Sequence, residues 1–127
     1  MEILLVDDNT DYLMPMKDAL YEHGYTVYAA DDGKQASRIM ATVTVDLIIS
    51  DIRMPDLDGF QLHKLARQMK QYVNTKFIFI SGYKDLYSDQ LQLAPERDYF
   101  IDKTMGAHDI LRFIDRLMFG KYAELWV

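Results

Sequence analysis

The chain has 127 residues, enough for one domain with a single core and too few for two comfortable ones. Half of the residues are hydrophobic and 27% are charged, a globular balance rather than that of a disordered or fibrous chain. The net charge of −6, with no basic run, argues against direct nucleic-acid binding; the lack of cysteine removes disulfides and thiolate zinc sites; no apolar stretch reaches the roughly 20 residues needed to span a bilayer.

Met1-Glu2-Ile3 lacks the basic start of a secretion signal, so a cytoplasmic protein with no membrane contact is expected. Ile3 to Val6 is a short apolar run ending abruptly at Asp7 and Asp8, as a buried strand leaving a sheet would. Leu13, Met16, Ala19 and Leu20 are spaced for one face of a helix over 10–23, stopped by Gly24 and expected to kink at Pro15. The alternation continues with strand 26–30, helix 34–41, strand 45–50, helix 60–72, strand 76–80, helix 85–94, strand 99–101 and helix 107–119. Five strands alternating with five helices predict an α/β fold with a parallel sheet covered on both faces, a doubly wound domain over 1–120. The tail 121–127, with Tyr122, Leu125 and Trp126, falls outside the scheme and reads as a continued helix, a dimer contact or the root of a missing output domain.

In such sheets ligands bind beyond the carboxyl ends of the strands. Asp7 and Asp8 follow strand one, Asp51 strand three, Ser81 strand four, and Lys103 strand five. Asp31 and Asp32, after strand two, read as a loop or helix cap. If the strand order is 2-1-3-4-5, the other strand ends lie side by side about 4.8 Å apart. Three carboxylates crowded into one crevice repel one another unless a cation joins them, and a hard divalent ion such as magnesium, or manganese, answers that need. Phosphoryl transfer depends mainly on in-line positioning and on neutralising the equatorial oxygens, which a metal and Lys103 can supply. Asp51 is the natural nucleophile, because aspartyl carboxylates form acyl phosphates, and Ser81 is placed to donate to a phosphoryl oxygen.

Over residues 2 to 119 the chain resembles the receiver domain of two-component response regulators, the CheY-like family. The likeness rests on Leu4-Leu5-Val6-Asp7-Asp8, on Asp51-Ile52-Arg53-Met54-Pro55-Asp56-Leu57-Asp58-Gly59, on Phe79-Ile80-Ser81-Gly82 and on Lys103. It implies a flavodoxin-like (βα)5 sandwich. It also implies that Asp8, Asp51 and the backbone carbonyl of Arg53 bind the metal directly, with Asp7 acting largely through water. A sensor histidine kinase or phosphotransfer protein would donate the phosphoryl group. Ser81 and Phe100 would be the switch residues, remodelling the surface of helix four, strand five and helix five for a downstream protein, an output domain or a homodimer partner.

Three residues depart from the family pattern. Thr104 stands where a proline with a cis peptide is usual, which predicts a looser loop behind Lys103; Gly82 replaces a common alanine; Phe100 lacks the hydroxyl of the commoner tyrosine. Arg53 and Tyr83, two residues beyond the acceptor and the switch serine, are expected to hinder the attacking water and lengthen the life of the acyl phosphate. His23, His63 and His108 have no metal-site spacing and are expected to be exposed and without a role; the methionines and tyrosines read mostly as core. Tyr83, Tyr87 and Leu91 read as packing against the sheet or as a partner surface.

The leading expectation is thus a magnesium-dependent phosphoacceptor switch, catalysing its own aspartyl phosphorylation and dephosphorylation without being a turnover enzyme. The alternative is a receiver-like interaction module that works without phosphorylation. An aspartyl-phosphate hydrolase would need a second aspartate two residues after the nucleophile, where this chain has Arg53 after Asp51 and Asn9 after Asp7. No stretch is left over for an attached output domain, so either the protein acts alone or the chain is cut from a longer one.

Overall fold

A computed structural model describes residues 1–82 and 94–120. Along the chain these form β1 (Glu2–Val6), α1 (Thr10–Glu22), β2 (Thr26–Ala30), α2 (Gly33–Thr42), β3 (Leu47–Asp51), α3 (Gly59–Gln68), β4 (Lys76–Ser81), β5 (Asp98–Asp102) and α4 (Ala107–Phe119). The predicted helix 85–94, with Tyr83, Tyr87 and Leu91 on or beside it, and the tail 121–127 lie outside the described residues apart from Ala94.

The five strands are parallel in the order β2-β1-β3-β4-β5. The period-two alternation of the strands splits the core into two. Leu4, Val6, Ile48, Phe77 and Phe79 point to one face, where Ala36 and Met40 of α2 and Leu62 and Ala66 of α3 cover them. Ile3, Leu5, Leu47, Ile49, Ile78 and Ile80 point to the other, against Leu13, Met16 and Leu20 of α1 and Ile110 and Ile114 of α4. Strands buried on both faces read as continuous apolar runs, which is why the polar residues at their ends stand out in the sequence.

Three helix starts are set by side-chain caps: Asn9 accepts from the Asp11 amide, Asp32 from the Gln35 amide, and Asp58 and Gln61 form a reciprocal capping box at α3. Asp32 is therefore a cap, one of the two roles expected of it.

Several expectations need correction. β3 begins at Leu47 rather than at Val45; just before it, the Asp46 amide donates to the Glu2 carbonyl and its carboxylate accepts from the Glu2 amide. α3 ends at Gln68, not Tyr72: Met69 is extended, and Tyr72 reaches the core from a turn, with its hydroxyl donating to the Val43 carbonyl. His63 is also not exposed. It is 7% accessible and donates from Nε2 to Asp98 Oδ1 at 2.9 Å, beside Arg67 at 2.5 Å, with its ring edge-on to Phe77.

Candidate functional site

The chain leaves β1 into Asp7, which is 1% accessible, and Asp8, which is exposed. The Asp7 amide donates to Ala30 of the neighbouring strand, and Asp7 Oδ1 accepts from the Asn9 amide at 2.8 Å, so both its backbone and its side chain are fixed before α1 begins. β3 delivers Asp51 one strand away, 7% accessible, with Oδ1 accepting from the Ile52 amide at 2.8 Å. One carboxylate oxygen from each of Asp7, Asp8 and Asp51 falls within a cluster in which all three lie within 4.8 Å of one another.

The turn after Asp51 is held by close packing. The Gly59 amide donates to the Ile52 carbonyl at 2.9 Å, and a Cβ on Gly59 would stand 2.3 Å from the Asp51 carbonyl oxygen and 2.9 Å from Ile52 Cα, so only glycine fits. The turn itself passes through Asp56 in the left-handed region (φ 67°), a conformation aspartate tolerates better than most. Arg53 sits exposed on this turn, beside a groove of about 380 Å³ lined by Ile52, Met54, Pro55 and Asp58 as well.

Lys103 completes the edge. Its Nζ lies 2.8 Å from Asp7 Oδ2 and 3.4 Å from Asp51 Oδ2. The peptide after it is trans, and the turn carries two local bonds: the Thr104 amide and hydroxyl both donate to Asp102 Oδ1, at 2.9 and 2.8 Å. Ser81 ends β4, 2% accessible, opposite Asp102, and its carbonyl accepts from the Lys103 amide at 3.3 Å. Phe100 is half-buried and stacks on Phe79 with ring centroids 5.1 Å apart. Asp7, Asp8, Asp51 and Lys103 are thus brought together and Ser81 ends the adjoining strand; Tyr83 lies outside the described residues.

The electrostatics match the crowding. Burial, then the charge of Asp7, pushes the Asp51 carboxyl up to about 6, against the opposing pull of Lys103 and the Ile52 amide. Lys103 is held above the ordinary lysine range: burial works against its charge, but the Asp7 and Asp51 carboxylates outweigh it. Three carboxylates and one ammonium leave two negative charges, which suits a hard divalent cation with oxygen ligands.

The model of the response regulator receiver domain matches residues 3–115. The chain belongs to this family. Among curated relatives, the sensor kinase CckA of Brucella abortus (strain 2308) is 40% identical over 85 residues, 65% of this chain and 9% of that kinase. The chain spans less than a fifth of the length of that kinase and of the next two relatives, the sensor histidine kinase TmoS of Ectopseudomonas mendocina and protein RcaC of Microchaete diplosiphon. Among solved structures, Vibrio cholerae chemotaxis protein CheY4 superposes with a TM-score of 0.84 at 26% identity, covering 92% of this chain and 98% of that one. The receiver domain of the sensor histidine kinase PA1611 from Pseudomonas aeruginosa PAO1, solved with magnesium in its active-site cleft, gives 0.79 at 27% identity, covering 91% and 95%. The five-stranded order and the receiver assignment expected from the sequence are both borne out. Among the described residues no helix is long and apolar enough to cross a membrane.

Sequence reasoning missed two features of this receiver. His63 and Asp98 form a buried pair at the opposite edge of the sheet, and only the apolar neighbours Leu62 and Ala66 hinted that this helix face is covered. Tyr12 was read only as one of many core tyrosines, yet its ring carries the Lys103 ammonium.

Proposed function

We propose that this receiver accepts a phosphoryl group on Asp51 from a histidine kinase or phosphotransfer protein in the cytoplasm, and that the modified site changes which protein it binds. The observation that carries this reading is the position of Lys103 Nζ between Asp7 and Asp51. An ammonium there meets a phosphoryl group bound to Asp51 without further rearrangement of the strands. A carboxylate oxygen of Asp51 attacks phosphorus in line, the bond from phosphorus to the donor breaks, and the donor nitrogen or oxygen keeps the electron pair. A magnesium or manganese ion held by Asp7, Asp8, Asp51 and the Arg53 carbonyl would neutralise charge on the transferring oxygens. Ser81 turns to donate to a phosphoryl oxygen, Phe100 turns inward in response, and exposed Arg53, with Tyr83, shields the acyl phosphate from water. The protein performs its half of the transfer and is not a turnover enzyme.

The test is incubation with magnesium and a small acyl-phosphate donor. The expected result is one phosphoryl mass increment, abolished by Asp51→Asn. The half-buried stack of Phe100 on Phe79 favours a second reading, a module already in its binding form without phosphate. No increment, with the donor active on another receiver, selects that reading.

A further inference from the structure

One aromatic side chain with no part in the transfer chemistry enters the acidic crevice. Tyr12 stands in the first turn of α1, its amide bonded to the carbonyl of the Asn9 cap, and so is aimed by the same turn that follows Asp7 and Asp8. Lys103 Nζ lies 4.8 Å from the centroid of its ring. The same nitrogen is shared between Asp7 Oδ2 at 2.8 Å and Asp51 Oδ2 at 3.4 Å. Burial and the charges of Asp7 and Asp51 raise the Tyr12 phenol to about 12, which keeps the ring neutral and its face available to a cation.

Lysine is a point charge on a long flexible stem, and its head group has no planar fork to fix it. In this protein the backbone of Lys103 is fixed by the Asp102–Thr104 turn, but its head group needs a separate restraint. Two carboxylates supply attraction without a defined wall. The face of an aromatic ring supplies both, since its negative quadrupole attracts the ammonium while the ring excludes water from that side. An aliphatic side chain at the same place would exclude water and give nothing back to the charge.

We propose that Tyr12 is a positioning residue for Lys103, its ring forming the floor that holds the ammonium over Asp7 and Asp51 where an incoming phosphoryl oxygen would meet it. This rests on the reading of Asp51 as the phosphoacceptor.

Two measurements test this. Proton NMR of the wild-type protein should show the Lys103 side-chain methylene signals displaced upfield by the ring current of Tyr12. Rates of Asp51 labelling by a small acyl-phosphate donor should fall about threefold to tenfold in Tyr12→Leu and return to within about twofold of wild type in Tyr12→Phe, which keeps the ring. In a Lys103→Ala background, Tyr12→Leu should add less than about a twofold further loss. Unshifted Lys103 signals overturn the proposal, and that measurement stands even if Tyr12→Leu fails to fold. So does a Tyr12→Phe as slow as Tyr12→Leu, or a full effect of Tyr12→Leu without Lys103. A wild type that takes up no phosphoryl group overturns the proposed function and the catalytic half of this inference. The ring-current shift then still decides the contact between Tyr12 and Lys103.

Discussion

At the scale of single residues the site is a balance of charges that the fold imposes on Asp51. Burial, and then the Asp7 charge, push its carboxyl from an ordinary 3.8 up to about 6 in the folded protein. An acid whose pKa is raised by folding favours the folded state most below its unfolded value, and that contribution is lost as pH rises through the folded one. Ionised Asp51 therefore costs stability at pH 7 when no cation is bound. Asp51→Asn is expected to stabilise the chelator-treated protein at pH 7 by about 1–2 kcal/mol, a figure discounted for the water at the mouth of the crevice. The gain should vanish near pH 4, and urea unfolding of both proteins at the two pH values measures it. Magnesium should narrow the difference at pH 7 by stabilising the wild type through binding to the native state.

At the scale of elements, the turn between β3 and α3 determines where Asp51 points. Gly59 has no room for a side chain, because the nearest atoms are backbone and cannot rotate away. Gly59→Ala is expected to cost about 2–3 kcal/mol in chemical denaturation and to slow acyl-phosphate labelling, because relief of the clash has to move Asp51 or Ile52. Much of this level was legible in the sequence. Asp7, Asp8, Asp51 and Lys103 each follow an apolar run, and a charged group at the end of a fully buried strand marks the sheet edge where ligands bind. The failures came from treating apolar spacing as conformation. Met69 and Tyr72 continue the period of α3, yet the chain has already turned, and Tyr72 is buried from that turn. Val45 is buried without belonging to β3. The two bonds that Thr104 makes from its amide and hydroxyl were not read from the sequence, because they depend on Asp102 two residues away.

At the scale of the whole molecule the two edges of the sheet carry different duties. The carboxyl edge gathers the acidic crevice; the opposite edge holds the buried Asp98, which accepts from His63, Arg67 and the Ala94 amide. Burial opposes ionisation of Asp98, but those donors outweigh it and hold its carboxyl below the usual range, while burial drives His63 below its own. Removing one partner strands the others in the core, so Asp98→Ala is expected to lose about 3–5 kcal/mol in urea unfolding. The folded fraction should still label at Asp51, because the site draws on the other ends of the strands.

The crevice is also assembled from distant stretches of chain: Lys103 meets Asp51 across 52 residues, and every ladder of the parallel sheet needs a crossover before it can form. On the ribosome, therefore, a growing chain carries Asp7, Asp8 and Asp51 long before it carries the assembled crevice. The ammonium that completes the site emerges only after β4 and β5 have been made, so the crevice has its full set of charges only once the last strand is in place.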